Sequence, residues 1–332
     1  MSSQQRSQGV AIISVLLIVA VVTVLATRMS GHLRMQIARV SGSEHAEQAY
    51  WHWLSAEALL RQVLLREHEA SEGRTHLQQA WASRQGPFPV RGGAIGGRVR
   101  DLHSCFNLNS LHKDPNNTAA FATAVERYQS LLSALELDEY TAQRLTATLV
   151  DWLDADRELH DSMGAEDADY ESLAQPYVAA NSLLVHRSEL RQVAGYSQAV
   201  YQRIEPFVCV IPGVTDWPLN LNTVDADQPE IVMAYFRGRL DRHAAEDLLS
   251  GRPSNGYETL ESINAEPAIQ GFGEEGQLNS DVEGLTLNSQ YFELNAQVKY
   301  GDLELYGTSQ LHIKDGKAWV LHRSRGGYER DE

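Results

Sequence analysis

Nine acidic residues fall inside the stretch "DWLDADRELHDSMGAEDADYE", at Asp151, Asp154, Asp156, Glu158, Asp161, Glu166, Asp167, Asp169 and Glu171. Carboxylates at alternating or near-alternating positions are hard oxygen donors, and Gly164 permits a sharp turn among them. That chemistry suits calcium, which takes six to eight oxygens in a flexible geometry. The stretch is not an EF-hand, because the twelve-residue pattern with its closing Glu is absent. The plainer alternative is a solvated acidic loop that caps two helices. Mutual repulsion among so many carboxylates weighs toward a cation.

Other chemistry is sparse. "LRQVAGYSQAVYQRI" reads as helix, glycine hairpin and helix, a unit often used to grip a DNA backbone through hairpin amides. Here the hairpin Ala194-Gly195-Tyr196 has no nearby Lys, and the chain carries a net charge of −16. Phosphate-backbone binding relies on clustered cations, so no nucleic-acid partner is expected and the unit reads as helical packing. His45 and His52 lie on a long exposed helical stretch, and His160 and His186 sit in polar segments with no fixed partner. No GxSxG, HExxH, Walker A or Rossmann fingerprint occurs, so no enzyme is expected. Cys105 and Cys209 have no metal-ligand spacing. One disulfide is the natural reading if the body is exported; two buried thiols are the alternative.

The elements that must position these residues are mostly helical. The run from Val10 to Thr27 is apolar and uncharged, and as a helix it would span about 27 Å, enough to cross a bilayer core. Helical patterning continues to about Glu69, with Leu33, Ile37, Val40, Leu54, Leu59, Val63 and Leu64 marking an apolar face. A glycine-rich stretch follows, with a strand expected over 96–102. Helices are expected at "NNTAAFATAVERYQSLLSALEL", "DEYTAQRLTATLVDWLDA" and "EIVMAYFRGRLDRHAAEDLLSG". The last segment alternates in three runs around Tyr300-Gly301-Asp302 and Asp315-Gly316, which predicts an antiparallel meander. "FNLNSLHKD" at 106–114 is echoed by "LNLNTVDAD" at 219–227; each reads as a strand-to-helix entry organised by Asn side chains.

The start of the chain decides between anchors. A signal peptide cleaved after Ala26 would not continue into a long amphipathic helix. Gly9 stands directly before the apolar run, behind a short leader with the single cation Arg6. This arrangement resembles type IV pilins and type II secretion pseudopilins, in which prepilin peptidase cuts after such a glycine. Most of them have Glu at the fifth mature position; here that position is Ser14. Together with "DWLDADRELHDSMGAEDADY", "LVHRSELRQVAGYSQAVYQRIEPFVCVIPG", "LNLNTVDA" and "YGDLELYGTSQLHIKDGKAWVLHR", this is similar to the minor pseudopilin K family (GspK) of type II secretion. The resemblance covers nearly the whole chain.

The resemblance implies an α+β, pilin-like fold: a long N-terminal helix on a small antiparallel sheet, with a large inserted all-α domain containing helix-hairpin-helix (SAM-like) units. The implied organisation is a leader at 1–9, a transmembrane part at 10–28 and a periplasmic helix at 29–69. A first pilin-like part follows at 70–108, then the insertion at 109–275, in lobes of about 109–213 and 219–275, and final strands at 280–327. It implies cleavage between Gly9 and an N-methylated Val10, with Ser14 marking a tip subunit. Calcium would be held by Asp156, Asp161, Glu166, Asp167 and Asp169, with Asp151 and Asp154 at helix ends. The implied partners are minor pseudopilins I and J, prepilin peptidase, and secretin or exported substrates. The implied location is the inner membrane of a Gram-negative cell, with the body in the periplasm. Competing readings are a type IV pilus minor pilin in pilus priming and a secreted calcium-dependent hydrolase.

Overall fold

A computed structural model describes the backbone of residues 4–83, 86–271 and 279–326, and side chains from residue 12 onward. The expected end of the insertion at 275 and of the last strands at 327 lie outside the described residues.

Helix α1 runs from Gln4 to Ala70, about 100 Å at 1.5 Å per residue. It contains one window apolar enough to cross a membrane, with a mean hydropathy of 2.5 and none of it buried in the protein. The helix ends in a left-handed turn: Glu72 and Gly73 have positive φ, and the Gly73 N–H donates back to the His68 carbonyl at 2.8 Å. This satisfies a carbonyl that the helix end would otherwise leave bare.

Strands β1 (Phe88–Val90) and β2 (Gly93–Asp101) pair antiparallel. Strand β2 then pairs with β5 (Tyr291–Tyr300), β5 with β6 (Leu303–Lys314), and β6 with β7 (Lys317–Arg325). The sheet order is therefore β1-β2-β5-β6-β7. Asp101 faces Phe292 across neighbouring strands, so the chain leaves the sheet after β2 and returns beside its point of exit. The Asp315–Gly316 hairpin has positive φ at both residues, as a tight two-residue turn requires.

The C-terminal half of α1 packs on this sheet through Ala49, Trp53, Leu60 and Leu64. Trp53 lies against Gly307, where an added Cβ would come within 2.7 Å of the indole. Buried Glu57 accepts two hydrogen bonds from Arg323, at 2.6 and 2.8 Å. The expected apolar face is corrected here. Leu33, Ile37, Val40 and Leu59 are exposed, whereas Leu64 is buried and Val63 packs against the same core; the sheet reaches up the helix to His45, whose ring lies against Tyr300.

The helical insertion occupies the chain between β2 and β5. After β3 (Phe106–Asn107) come α2 (Thr118–Ala134), α3 (Glu139–Leu153), the short α4 (Asp167–Glu171) and α5 (Gln198–Ile204). Strand β4 (Val208–Cys209) then pairs parallel with β3. The second part carries α6 (Pro229–Tyr235), α7 (Arg242–Ser250), α8 (Leu260–Asn264), α9 (Pro267–Gln270) and α10 (Ser280–Glu283). The expected helix at 230–251 is broken where Arg237 and Gly238 take positive φ. Before the Gly195 turn the chain forms a 3-10 helix at Arg187–Gln192. One large core joins both parts, with Phe106, Tyr128, Leu149, Trp217, Tyr235 and Phe236 among its side chains.

The Asn echo is structural. Asn107 accepts from the Ile211 N–H and donates to the Val214 and Asp216 carbonyls. Asn222 accepts from the Tyr257 N–H and donates to its carbonyl. Each buried amide stitches an entry segment to a distant loop, as a buried polar group must be satisfied. Cys105 and Cys209 are joined at the root of the first part, with Cα atoms 5.8 Å apart.

Candidate metal centre and family

The centre is built on the C-terminal end of α3. Asp151 is fully buried, and its two oxygens accept from the His160 N–H at 2.7 Å and the Ala165 N–H at 2.8 Å. These bonds fold the 154–166 loop back over the helix end. Gly164 is required in this fold, since a Cβ there would run into the Asp151 carboxylate.

The fold-back gathers Asp154, Asp156 and Glu166, each offering a carboxylate oxygen within 4.8 Å of the others. That spacing fits three oxygens around one ion with calcium-length bonds. Asp154 is 3% and Glu166 6% exposed; among the described residues neither Asp154 oxygen has a hydrogen-bond partner, and Glu166 has only backbone amides of its own helix start nearby. Burying an ionised carboxylate without a partner is costly. Burial, then the charges of Asp156 and Asp151, push Asp154 up to about 6. Burial, then Asp151 and Asp154, push Glu166 up to about 7, opposed by the Asp167 amide. Asp156 is exposed and lies 3.7 Å from the Lys113 ammonium. Three acids at the C-terminal end of a helix also oppose its dipole. A hard cation would answer all of these costs at once, and the residues present fit one.

The other expected ligands have different partners. Asp161 accepts from the Met163 N–H at 2.7 Å. Asp167 accepts from the Ala179 N–H at 3.1 Å and pairs with Arg157. Asp169 accepts from the Glu166 N–H at 3.1 Å, closing the first turn of α4. Asp154 is the helix-end residue expected, as C-cap of α3, and it is also a member of the cluster. Its signal in the sequence was the placement of acids against the helix dipole.

Gly9 and Val10 lie in the first turns of α1, outside the residues whose side chains are described. Ser14 follows in the same helix, within the apolar run.

A long N-terminal helix laid on a small antiparallel sheet, with a helical insertion between its second and third long elements, defines a pilin-like protein. Two family models, both described as type II secretion system protein K, match residues 104–213 and 219–282. Among relatives, the type II secretion system protein K of Aeromonas hydrophila is 35% identical, covering 99% of this chain and all of that protein. That of Klebsiella pneumoniae is 34% identical, covering 97% of this chain and 98% of the relative. A chain in the crystal structure of the GspK–GspI–GspJ complex from enterotoxigenic Escherichia coli superposes with a TM-score of 0.75 at 30% identity. It covers 87% of this chain and 99% of that chain. The chain belongs to the type II secretion system protein K family, and is a minor pseudopilin of that system.

Proposed function

We propose that this minor pseudopilin sits at the tip of the pseudopilus and starts its assembly with minor pseudopilins I and J, supporting export of folded proteins. The observation that carries this reading is the 30% identical match to a chain of a solved GspK–GspI–GspJ complex. Ser14 supports it, because a carboxylate in a bilayer is expensive without a partner and a tip subunit has no neighbour ahead to supply one. On this reading α1 anchors the chain once in the inner membrane with the body in the periplasm. Prepilin peptidase would cut between Gly9 and Val10, leaving a methylated Val10. The role is structural, with no catalytic step assigned to the chain.

The proposal includes calcium as a structural ion held by Asp154, Asp156 and Glu166, with Asp161, Asp167 and Asp169 shaping the loop. Bound there, the ion would supply positive charge that lets both buried carboxylates ionise. The unpartnered, buried Asp154 carboxylate beside buried Glu166 supports this reading.

The first test is the mass of the mature N-terminal peptide from membrane-extracted protein, with co-purification of I and J from the same extract. A methylated Val10 start and a stable three-protein complex are expected. A start at Thr27 would remove the pseudopilin processing, and a Val10 start without I and J would remove the tip complex.

A further inference from the structure

The apolar run of α1 ends at Thr27, and the helix continues without a break to Ala70. Charge is sharply partitioned along the chain. The first 43 residues carry four arginines and no acid; all 44 acids begin at Glu44. Arg28, Arg34 and Arg39 follow the apolar run directly, and only Arg6 precedes it. The orientation of a span is biased toward leaving Lys and Arg near its ends on the cytoplasmic side. With the body in the periplasm, as proposed, that bias runs the wrong way, so targeting does not account for these charges.

Because the helix is continuous, the height of each arginine above the membrane follows from its number. At 1.5 Å per residue the run from Val10 to Thr27 covers about 27 Å of a core of about 30 Å. Arg28 therefore stands at the level of the headgroups, a layer roughly 5–8 Å deep on each side. Arg34 is about 9 Å further out, within reach of that layer because a long cationic side chain can turn its head back toward it. Arg39 is about 16 Å out, beyond the layer by about a screening length of 8 Å.

All three are exposed, and none is paired with a carboxylate among the described residues. The first acid, Glu44, is about 24 Å beyond Arg28 along the helix. Arg34 lies about 120° around the helix from Arg28, at 3.6 residues per turn. A single neighbouring helix covers one face and cannot meet both arginines. Headgroups surround the helix on every side and can.

We propose that Arg28 and Arg34 form a cationic collar that binds the phosphates of anionic lipids at the body-side surface of the membrane. The collar rests on the reading of α1 as a membrane anchor; with the body in the periplasm, that surface is the periplasmic one. The attraction of a cation to an anionic bilayer fades within a screening length. The collar therefore holds α1 at a fixed depth and opposes its withdrawal.

The test places the full chain in nanodiscs of phosphatidylcholine and phosphatidylglycerol in equal parts. Lipids that stay bound on gentle release are counted by native mass spectrometry. Phosphatidylglycerol should be enriched by about threefold or more, and excess inorganic phosphate should leave the enrichment in place. Arg28→Gln combined with Arg34→Gln should lower it by about threefold to fivefold, with the thermal melt of the body unchanged. Arg39→Gln should change it by less than about 1.5-fold. Parity in the unsubstituted chain, undiminished enrichment in the double variant, enrichment abolished by inorganic phosphate, or an equal effect from Arg39→Gln would each overturn the proposal. Loss of I and J from the double variant with the lipid ratio intact would assign the two arginines to a neighbouring helix instead. Both faces of a nanodisc are open, so the lipid ratio does not depend on orientation. Protease that fails to reach the body from outside spheroplasts would remove the periplasmic reading alone, whereas a chain that does not enter the discs would remove the anchor and the collar with it.

Discussion

Asp154 is the residue on which the acidic loop turns. It caps α3, it is buried, and its oxygens are unmatched. Asp154→Asn should therefore lower the melting temperature in calcium and leave it unchanged or raised in chelator, since the same change removes like-charge repulsion. For a domain of this size about 1 kcal/mol moves the midpoint by roughly 2–4 °C. An equal loss in both conditions would make Asp154 a packing residue only. The pH dependence has a definite sign. The ordinary values for Asp and Glu are 3.8 and 4.5, and burial with the neighbouring charges lifts Asp154 to about 6 and Glu166 to about 7. Between them the folded chain holds protons that the unfolded chain has released. Without an ion, stability therefore falls as pH rises through that window, by on the order of 2 kcal/mol for one such group. The penalty is absent below about pH 4 and complete above about pH 7. With calcium the groups must ionise, so the stabilisation by calcium should grow with pH. Melts at pH 5 and 7.5, each in calcium and in EDTA, measure this; a calcium effect that does not change with pH would separate the pair from the ion. The density of acids and two members of the cluster, Asp156 and Glu166, were legible in the sequence, but Asp154's place beside them was not. Which oxygens converge depends on Asp151 folding the loop back through two amides, and residue spacing carries no trace of that.

At the level of elements, the helix–sheet joint is set by one close contact. Gly307 lets Trp53 lie on β6, and Gly307→Ala should push the helix away at a cost of about 1–3 kcal/mol, the range for overpacking a core. Urea unfolding of the variant measures it, and an unshifted midpoint would mean the indole moves freely. Glu57 sits in the same joint. Burial raises its proton affinity, but Arg323, Ser309 and Arg61 together outweigh burial and hold it below the usual range. The meander, α2 and α3 were readable from alternation, caps and helical period, because those signals are local. The packing face of α1 was readable only in part, at Val63 and Leu64, because the rest depends on where the sheet stops. The break at Arg237 and Gly238 was hidden for a related reason: the apolar period continues across it while the backbone turns into positive φ.

Across the whole molecule, the helical insertion is rooted at a narrow neck. Strands β3 and β4 run side by side, Cys105 is bonded to Cys209, and Asp101 at the end of β2 accepts from the hydroxyls of Thr223 and Ser289. The bond closes a loop with a sequence separation of 104. Replacing both cysteines by Ala should cost about 2–5 kcal/mol, as expected for a long closed loop. Chemical denaturation with and without reductant checks this, and a reductant-insensitive wild type would show that the bond contributes nothing. The neck also settles where tension travels. A pull applied along α1 reaches the sheet through Trp53 and the Glu57–Arg323 pair, and from β2 it enters the insertion at Asp101. Four residues later it meets a covalent shortcut to Cys209, so traction bypasses the acidic loop. The first part of the insertion hangs beside the line of force as a side-branch, held in shape by the core it shares with the second part.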